Sequence, residues 1–482
     1  MVDTNGVGEV LINEFSRDEQ GDVFGRSLIL AGPQGQREIV RTGSSTPFGE
    51  IVELRNLGGP EGLGNYALND LGQVTLPNTT VRDGMGAEVT RFLVTDGSNF
   101  QVIPRSGTSA QNESFTLAST PGTNLINNRG DVIFNSDLSS SPFGSLFTVV
   151  QSPAGASPLG VVVQPGISAP DGGADIVRNA SVEGFNDAGD SLIRLELVDR
   201  LDFISTRRSS LVVSRDGVIQ PVVLPGTEIP GSAGLTVGEP VAAQLGDDGA
   251  VTFLAPSINP SQPSSPSPFV SLYRSDREGI TALTPGDSFR FGLPGSAFTD
   301  PIAFNGNGTL VKGRNVFFNP SFDYFRKGES VSIPLASWDD PEFDRGLTII
   351  RSLDLLLNEQ DQFAFLAFQP LDDRASTSDG TLLRVLLGYD PDLGPIRLIS
   401  EGDELLGSTI TELSLDGSLL AADIGPEQAL VDNGQLLFRF ELANGQSGIG
   451  AVTIPEPAAS GVLLALIYFG ATRRTRNQVV TR

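Results

Sequence analysis

The sequence predicts an all-β fold: a β-propeller of seven or eight blades, built from tandem four-stranded units and followed by a C-terminal hydrophobic helix. Three observations predict it. A turn motif recurs along the chain, a second marker keeps a fixed distance from it, and apolar and charged residues alternate after the turns. Because a sequence period does not prove that a ring closes, an open array of β-sandwich units is the alternative.

The turn motif is Asn-x-x-Gly-x-x followed by two apolar residues. Asn tolerates left-handed backbone and Gly adopts positive φ without a Cβ clash, so the motif is typical of a tight turn that leads into a strand. Three positions depart from it, since Gly246 and Val431 replace the Asn and Asp361 replaces the Gly. The residues at the Gly position are Gly8, Gly72, Gly130, Gly189, Gly249, Gly308, Asp361 and Gly434.

The second marker is an apolar run that ends at a Gly, often beside a Pro. Its closing glycines are Gly43, Gly107, Gly166, Gly226, Gly286 and Gly402. The first five of them follow the turn glycines at nearly constant distance, as Gly43 follows Gly8 and Gly226 follows Gly189. Two unlike markers in fixed phase indicate a tandem repeat.

Within a unit the residues follow the period of two that indicates strands. Ile193 and Leu195 lie on one face and Arg194 on the other, and Asp216-Gly217 stands between apolar runs as in a tight hairpin. A fourth strand, such as 49–54, follows the second marker. Four strands in about sixty residues make one propeller blade. The sequence has eight turn-plus-hairpin halves and seven second-marker halves, which predicts seven blades and a remainder, or eight with one completed by upstream sequence.

Two regions differ in kind: a repeat domain over 1–454 and a sorting or anchor segment over 455–482. Inside the first, the Pro-rich stretch 255–268 is predicted to be an extended, solvated insertion between two strands of one unit, with a domain linker as the alternative. The N-terminus enters a repeat at once, with no basic and apolar leader, so we expect an incomplete start.

The C-terminal segment has three parts. Pro455, Glu456 and Pro457 come first, an uncharged run over 458–472 follows, and Arg473, Arg474 and Arg476 close it. The run is short for a hydrocarbon layer of roughly 30 Å, and the arginines would lie on the cytoplasmic side. A buried C-terminal helix is the alternative.

These three parts, in this order, resemble the PEP-CTERM sorting signal of bacteria that make exopolysaccharide. The resemblance implies that a membrane exosortase cleaves the tail, and that the protein is released from or attached to the cell exterior. The repeats also resemble the tandem Asn-x-x-Gly-x-x-Ala-Phe proteins, with Ala364-Phe365 as the closest copy. Neither resemblance implies an activity.

Composition excludes several classes of function. A net charge of −26 would repel phosphate backbones, so we expect no nucleic-acid partner. The chain has no His and no Cys. Nucleophile systems that need His, and the common His/Cys zinc sites, are therefore excluded.

Acidic clusters are the remaining candidates for chemistry, and each could bind calcium, which takes several oxygen ligands. None has EF-hand spacing, and solvated turn carboxylates are the simpler interpretation, so we predict no cofactor, with calcium as the alternative. Trp338, the sole Trp, is either a packing residue or a sugar-stacking platform. The clusters are Asp339, Asp340, Glu342 and Asp344; Asp247 and Asp248; and Asp390 and Asp392.

The sequence therefore predicts an exported, surface- or matrix-associated structural or binding protein that is not an enzyme. Its expected partners are an exosortase and extracellular polysaccharide. The alternative is an extracellular glycan-active hydrolase, since two carboxylates suffice for that chemistry, although the sequence singles out no pair. Acids that face one another around a central funnel would favour the hydrolase.

Overall fold

The computed structural model describes most of the repeat domain, and the statements below concern the described residues. These are 3–17, 23–32, 34–54, 66–104, 106–108, 114–116, 124–136, 148–154, 159–170, 175–199, 202–224, 226–229, 234–259, 269–284, 289–290, 302–314, 321–326, 329–334, 355–370, 382–415, 430 and 432–454.

The strands form eight sheets, which we number as blades 1 to 8 in chain order. Blade 1 contains β1 Asp3–Thr4, β2 Val10–Arg17, β3 Val23–Gly32 and β4 Gly35–Arg41. Blade 2 contains β5 Ser45–Thr46, β6 Gly49–Leu54, β7 Val74–Arg82, β8 Glu88–Thr95 and β9 Phe100–Ile103. Blade 3 contains β10 Ser106–Thr108, β11 Ser114–Thr116, β12 Asn124–Ile126, β13 Val132–Ser136, β14 Thr148–Ser152 and β15 Leu159–Val163. Blade 4 contains β16 Asp175–Phe185, β17 Ser191–Asp199, β18 Asp202–Arg215 and β19 Val218–Val223.

The second half of the chain repeats this plan. Blade 5 contains β20 Thr236–Val237, β21 Ala242–Leu245, β22 Val251–Ile258, β23 Phe269–Asp276, β24 Gly279–Ala282 and β25 Phe289–Arg290. Blade 6 contains β26 Ile302–Phe304, β27 Leu310–Arg314, β28 Ser321–Arg326 and β29 Glu329–Pro334. Blade 7 contains β30 Leu355–Leu357, β31 Phe363–Pro370, β32 Leu382–Asp390 and β33 Gly394–Ser400. Blade 8 contains β34 Glu404–Leu405, β35 Ser408–Ser414, β36 Gln435–Leu442 and β37 Ser447–Thr453.

The sheets are antiparallel meanders, apart from one parallel pairing, β10 with β15, at the outer side of blade 3. Their core lies between blades. Phe92 of blade 2 meets Phe134 of blade 3 edge to face, with ring centroids 5.2 Å apart. Phe322 of blade 6 meets Phe363 of blade 7 at 5.4 Å. Apolar faces buried between neighbouring sheets supply the main stabilisation of such an array.

The ring closes between the two ends of the repeat domain. Val10 and Ala31 of blade 1 form one buried cluster with Leu437 and Ala451 of blade 8. The predicted all-β propeller is therefore confirmed with eight blades, and the open array is not observed.

The sequence unit and the structural blade are out of phase. The fourth strand predicted for the first unit, β6, pairs with β7, and Ile51 lies opposite Val81. It is therefore an inner strand of blade 2 and does not belong to the blade of its own unit. The reason is that the second marker, here Gly43, is the turn between blades. In blade 1 the inner strand is β1, which has two residues.

Two predicted segments need comment. The Pro-rich stretch was expected to lie outside the sheet, but β22 continues through Pro256 to Ile258, and Pro256 pairs with Val270 of β23. Residues 260–268 lie outside the described part, as do the predicted C-terminal helix and all of 455–482. Among the described residues no helix has the length and apolarity that a membrane span requires.

Candidate functional site

The turns that follow the inner strands form a ring, in which each turn contacts the turn of the next blade. We call them the axial turns; their described residues are 5–8, 69–72, 127–130, 186–189, 246–249, 305–308, 358–361 and 432–434. The Asn that opens a turn donates from Nδ2 to the carbonyl that opens the next one. Asn5 reaches Asn69 O at 3.0 Å, and Asn69 reaches Asn127 O at 2.8 Å.

The same Asn also organises its own turn. In blade 2, Asn69 Oδ1 accepts from the backbone N–H groups of Leu71 (3.1 Å) and Gln73 (2.9 Å). Its Nδ2 donates a second bond to Gln73 Oε1 at 2.8 Å. Asn69 is 3% exposed, so these bonds satisfy polar atoms that would otherwise be buried without partners. The Asn of the motif is thus a turn former and an inter-blade latch at once.

The residue after the opening position carries the acidic chemistry of the ring. In five of the eight turns it is acidic, namely Asp70, Asp187, Asp247, Glu359 and Asp432. We call these the axial carboxylates.

Four bonds fix the side chain and backbone of Glu359, one of them from Asn307 Nδ2 to the Glu359 carbonyl at 2.7 Å. Its Oε1 accepts from Gly306 N at 2.7 Å and its Oε2 from Asn307 N at 3.2 Å, both in the preceding blade. Its own N–H donates to Asp432 Oδ1 of the following blade at 3.0 Å. Glu359 and Asp432 are therefore held side by side.

A second pair is joined by an amide. Asn128 Nδ2 donates to Asp70 Oδ2 at 2.9 Å and to Asp187 Oδ2 at 2.7 Å. Since both oxygens contact the same nitrogen, the two carboxylates cannot be farther apart than the sum of these distances. Residues more than a hundred positions apart in the chain thus face one another at the ring.

The pKa shifts of the axial carboxylates include repulsion between their charges. Enclosure by the surrounding turns raises the pKa of Glu359 to about 7, and the charges of Asp432 and Asp247 add to this, against the lowering effect of the Gly306 and Asn307 N–H groups. The pKa of Asp432 is raised by the same loss of water and by Asp247 and Asp70. Asp247 and Asp432 are exposed at the surface. The surrounding turns nevertheless reduce the hydration of these carboxylates, so that repulsion between like charges contributes to their raised pKa values.

Asp247 couples the two pairs. Partial burial raises the pKa of its carboxyl, followed by the charges of Asp187, Asp248 and Asp70. Asp187 and Asp70 belong to blades 4 and 2, whereas Asp247 belongs to blade 5, so the repulsion acts across the ring. Neighbouring carboxyl groups with shifted pKa values are characteristic of acid–base sites.

The acidic clusters predicted from sequence have different fates. Asp247 belongs to the ring, while Asp248 accepts from Ala250 N at 2.9 Å and pairs with Arg274. Asp390 closes a turn, since its Oδ1 accepts from Asp392 N (2.8 Å) and Leu393 N (3.0 Å). The third cluster, Asp339 to Asp344, and Trp338 lie outside the described residues, as does the sorting signal Pro455, Glu456, Pro457, Arg473, Arg474 and Arg476.

Within the described part, no group of three or more acidic side chains has an arrangement that could hold a metal ion. Calcium binding stays a prediction. Asp70, Asp187, Glu359 and Asp432 were not singled out from the sequence. The signal was available, because an acidic residue directly follows the opening position of the turn in several repeats. The turn-forming properties of Asn and Gly were enough to explain the motif, so the acidic residue after the Asn was not considered.

Comparison with known proteins gives one family and several similar solved structures. No curated protein matches the sequence. Among solved structures, the chain is similar to dipeptidyl peptidase 4 of Porphyromonas gingivalis, at 8% identity and a TM-score of 0.44, with 94% of this chain and 58% of that chain covered. It is also similar to a polysaccharide lyase (10%, TM-score 0.34, 80% and 90% covered) and to an α-L-arabinanase of Penicillium chrysogenum (13%, TM-score 0.26, 62% and 86% covered).

The chain spans between 47% and 58% of the length of the peptidases that it matches. The matched structures are enzymes, which contradicts the prediction that this protein is not an enzyme, and we withdraw that prediction. At these similarities the likeness assigns no activity to this chain. A family model does match more than half of the chain, over residues 4–319. The chain therefore belongs to DUF7453, a family of unknown function.

Proposed function

We propose that the axial carboxylates are the acid–base site of an exported enzyme that cleaves polysaccharide. One observation carries this proposal: Glu359, whose pKa is raised to about 7, is held beside Asp432 in a ring of acids that face one another. The similarity to solved propellers adds nothing to it.

Glycosidic cleavage needs one carboxyl group that donates a proton and one carboxylate that acts as base or nucleophile. A pKa near 7 leaves about half of the Glu359 side chains protonated at neutral pH, which suits a general acid. Asp432 and Asp247 are the candidates for the second role. The chemistry requires neither His nor Cys, and the chain has neither.

The charge of the ring limits the substrate. Five acids around one opening would repel sulfated or uronic-acid chains at neutral pH. We therefore propose neutral or amino-sugar polysaccharides as the substrate class.

The test is hydrolysis of a panel containing a neutral glucan, an arabinan, a partly deacetylated chitin and an alginate, followed by assay for new reducing ends. We expect activity on one of the first three, with an alkaline limb near pH 7 that reports the Glu359 proton. Glu359→Gln should lower kcat by roughly 10²- to 10⁴-fold, whereas Glu278→Gln, on an exposed hairpin, should leave it unchanged. Folded wild-type protein that releases no product from any substrate would overturn the proposal.

The pH dependence of stability tests the Glu359 pKa without a substrate. The unfolded chain loses this proton near the ordinary value of about 4.3, whereas the folded protein keeps it to about 7. Between these values the native state binds more protons, so the free energy of unfolding falls as pH rises through this window and levels off above it. The fall should be smaller in Glu359→Gln, as measured by urea denaturation from pH 4.5 to 8. An unchanged pH profile in this variant would contradict the raised pKa.

We also propose that the protein is exported and processed at its C-terminal segment by an exosortase, on the strength of the resemblance at Pro455 to Arg476. Expression in a host with and without an exosortase, with intact mass measured for each product, tests this. Equal masses in the two hosts would contradict processing.

A further inference from the structure

Glu359 is held by more backbone N–H groups than the acid beside it. Asp432 accepts one such bond, from Glu359 N at 3.0 Å. The Glu359 carboxylate accepts two, from Gly306 N at 2.7 Å and from Asn307 N at 3.2 Å. These two N–H groups are consecutive in the axial turn of blade 6, and each bonds a different oxygen of the same carboxylate. Two donors directed at one carboxylate favour its charged form.

The glycine at position 306 makes this contact possible. A Cβ atom on Gly306 would lie 3.1 Å from Glu359 Oε1 and 2.8 Å from the Cα atom of Gly246. Any other residue at 306 would therefore crowd both the carboxyl group and the turn of blade 5. The glycine keeps the two N–H groups within reach of Glu359.

The side chain of Asn307 holds Glu359 at a second place. Its Nδ2 donates to the Glu359 carbonyl at 2.7 Å, while its backbone N–H donates to Glu359 Oε2. One residue of blade 6 thus bonds both the main chain and the carboxylate of Glu359. Because the two bonds come from the same residue, the peptide and the carboxyl group of Glu359 are fixed relative to each other.

The side chain at the equivalent turn position bonds within its own blade in blades 5 and 8. Asp248 Oδ1 accepts from Ala250 N at 2.9 Å, and Asn433 Oδ1 accepts from Gln435 N at 2.9 Å. Such bonds shape a turn, as Asp and Asn commonly do. The bond from Asn307 Nδ2 crosses to the next blade, so turn formation alone does not account for it.

The pKa of Glu359 is a balance between opposing contributions. Burial raises it most, and the charges that face the carboxyl group, those of Asp432 in blade 8 and Asp247 in blade 5, raise it further. The N–H groups of Gly306 and Asn307 lower it. Weaker bonds from these N–H groups would therefore raise the pKa above its value of about 7.

We propose that Asn307 is the positioning residue of the Glu359 acid: its amide fixes the Glu359 peptide and so keeps the carboxyl group on the two N–H groups of the blade 6 turn. The catalytic meaning of this positioning rests on the proposed function, whereas the positioning itself is a property of the free protein. Without the amide, the carboxylate loses part of its N–H bonding, and Glu359 keeps its proton to higher pH.

Two uncharged variants remove the amide and introduce residues that the same turn position has in other blades. They are Asn307→Leu, since blade 2 has Leu71 there, and Asn307→Ala, since blade 4 has Ala188 there. The control is Asn444→Ala, which removes an Asn side-chain donor from an exposed hairpin, where Asn444 Nδ2 bonds Gln446 Oε1 at 2.9 Å.

The first readout is a ¹³C NMR titration of the Glu carboxyl groups in the free protein, in which the Glu359 signal is identified by its loss in Glu359→Gln. We expect a midpoint near pH 7 in the wild type and a midpoint about one pH unit higher in both Asn307 variants. Asn444→Ala should leave the midpoint unchanged. A wild-type midpoint in either folded Asn307 variant would overturn the proposal.

The second readout is activity on the substrate that the wild type cleaves. The alkaline limb should move to higher pH together with the NMR midpoint, and kcat should fall about 10-fold with KM changed less than about 2-fold, because a displaced acid weakens proton transfer without removing a substrate contact. A raised KM with unchanged kcat would contradict the positioning role. If the wild type cleaves no substrate, the proposed function fails and the NMR midpoint still decides the positioning, so the two proposals fail separately.

Discussion

Two junctions in the ring lack the latch Asn, and they differ in how the protein responds. Between blades 5 and 6 the opening residue is Gly246, and blade 5 donates instead to Gly306 O, the carbonyl after the one that a latch Asn would reach: Thr252 Oγ1 lies at 2.9 Å and Arg274 Nη1 at 2.5 Å. At the junction of blades 8 and 1, the sequence has Val431 in place of the Asn, and Gln435 Oε1 has no hydrogen-bond partner among the described residues. The comparison teaches that two neighbouring blades can be joined without the latch Asn, through side-chain donors to a neighbouring carbonyl.

The largest effect is expected from removing both donors to Gly306 O at the junction of blades 5 and 6. Thr252→Val with Arg274→Met should lower the free energy of unfolding by about 2–3 kcal/mol, since it leaves the buried Gly306 carbonyl without a side-chain donor. Each single change should cost less than half of this, because the other donor stays. Urea denaturation measures these values, with Arg277→Met on an exposed hairpin as the control. Single changes that add up to the double would show that the two donors do not share one acceptor.

The next prediction compares the residue after the opening position in two turns, Gly306 in blade 6 and Gly6 in blade 1. A Cβ on Gly306 would lie 2.8 Å from the Gly246 Cα atom, so the backbones of blades 5 and 6 would have to separate. The nearest atoms to a Cβ on Gly6 belong to the Asp70 carboxylate of blade 2, at 3.0 Å, and that side chain can turn away. Gly306→Ala should therefore cost about 2 kcal/mol and Gly6→Ala less than about 1 kcal/mol by thermal or urea unfolding. A larger loss of stability in Gly6→Ala than in Gly306→Ala would contradict this comparison of the two glycines.

The smallest effect concerns the glutamine that lies four positions after the opening residue of a turn. This residue is Gln362 in blade 7 and Gln435 in blade 8. Gln362 accepts from Asn358 Nδ2 (3.1 Å) and donates from Nε2 to Asp390 Oδ2 (2.8 Å). Gln362→Met should cost about 1–2 kcal/mol, because it leaves both partners unsatisfied. Gln435→Met should stay within about 0.5 kcal/mol of the wild type, because the lost Oε1 has no donor to leave behind. A loss of more than about 1 kcal/mol of unfolding free energy in Gln435→Met would show that the Gln435 amide does have a bonding partner.

Part of this arrangement was predictable from particular residues. Asn69 and Gly72 marked a turn, and the alternation from Ile193 to Leu197 marked a strand, because both follow from local backbone and side-chain geometry. The out-of-phase unit was not predictable, since β6 pairs with β7 across a segment of intervening chain. The Pro-rich stretch was misjudged in its first residues because Pro256 lies in a strand that still pairs with β23.

For the candidate site, too, the sequence predicted the type of chemistry but not the particular residues. Absence of His and Cys limited the chemistry to carboxylates before any fold was known. The particular pair was hidden, because Glu359 and Asp432 are 73 residues apart and become neighbours only when consecutive turns meet.

The sequence by itself determined the β-architecture, the length of its repeat and the acidic character of the molecule, because turn chemistry, period two and net charge are local or summed properties. Only the tertiary structure decided that the repeats close into eight blades and which acids lie close together. Those features depend on contacts between residues that are about one repeat or one whole domain apart, and the order of residues along a chain does not specify such contacts.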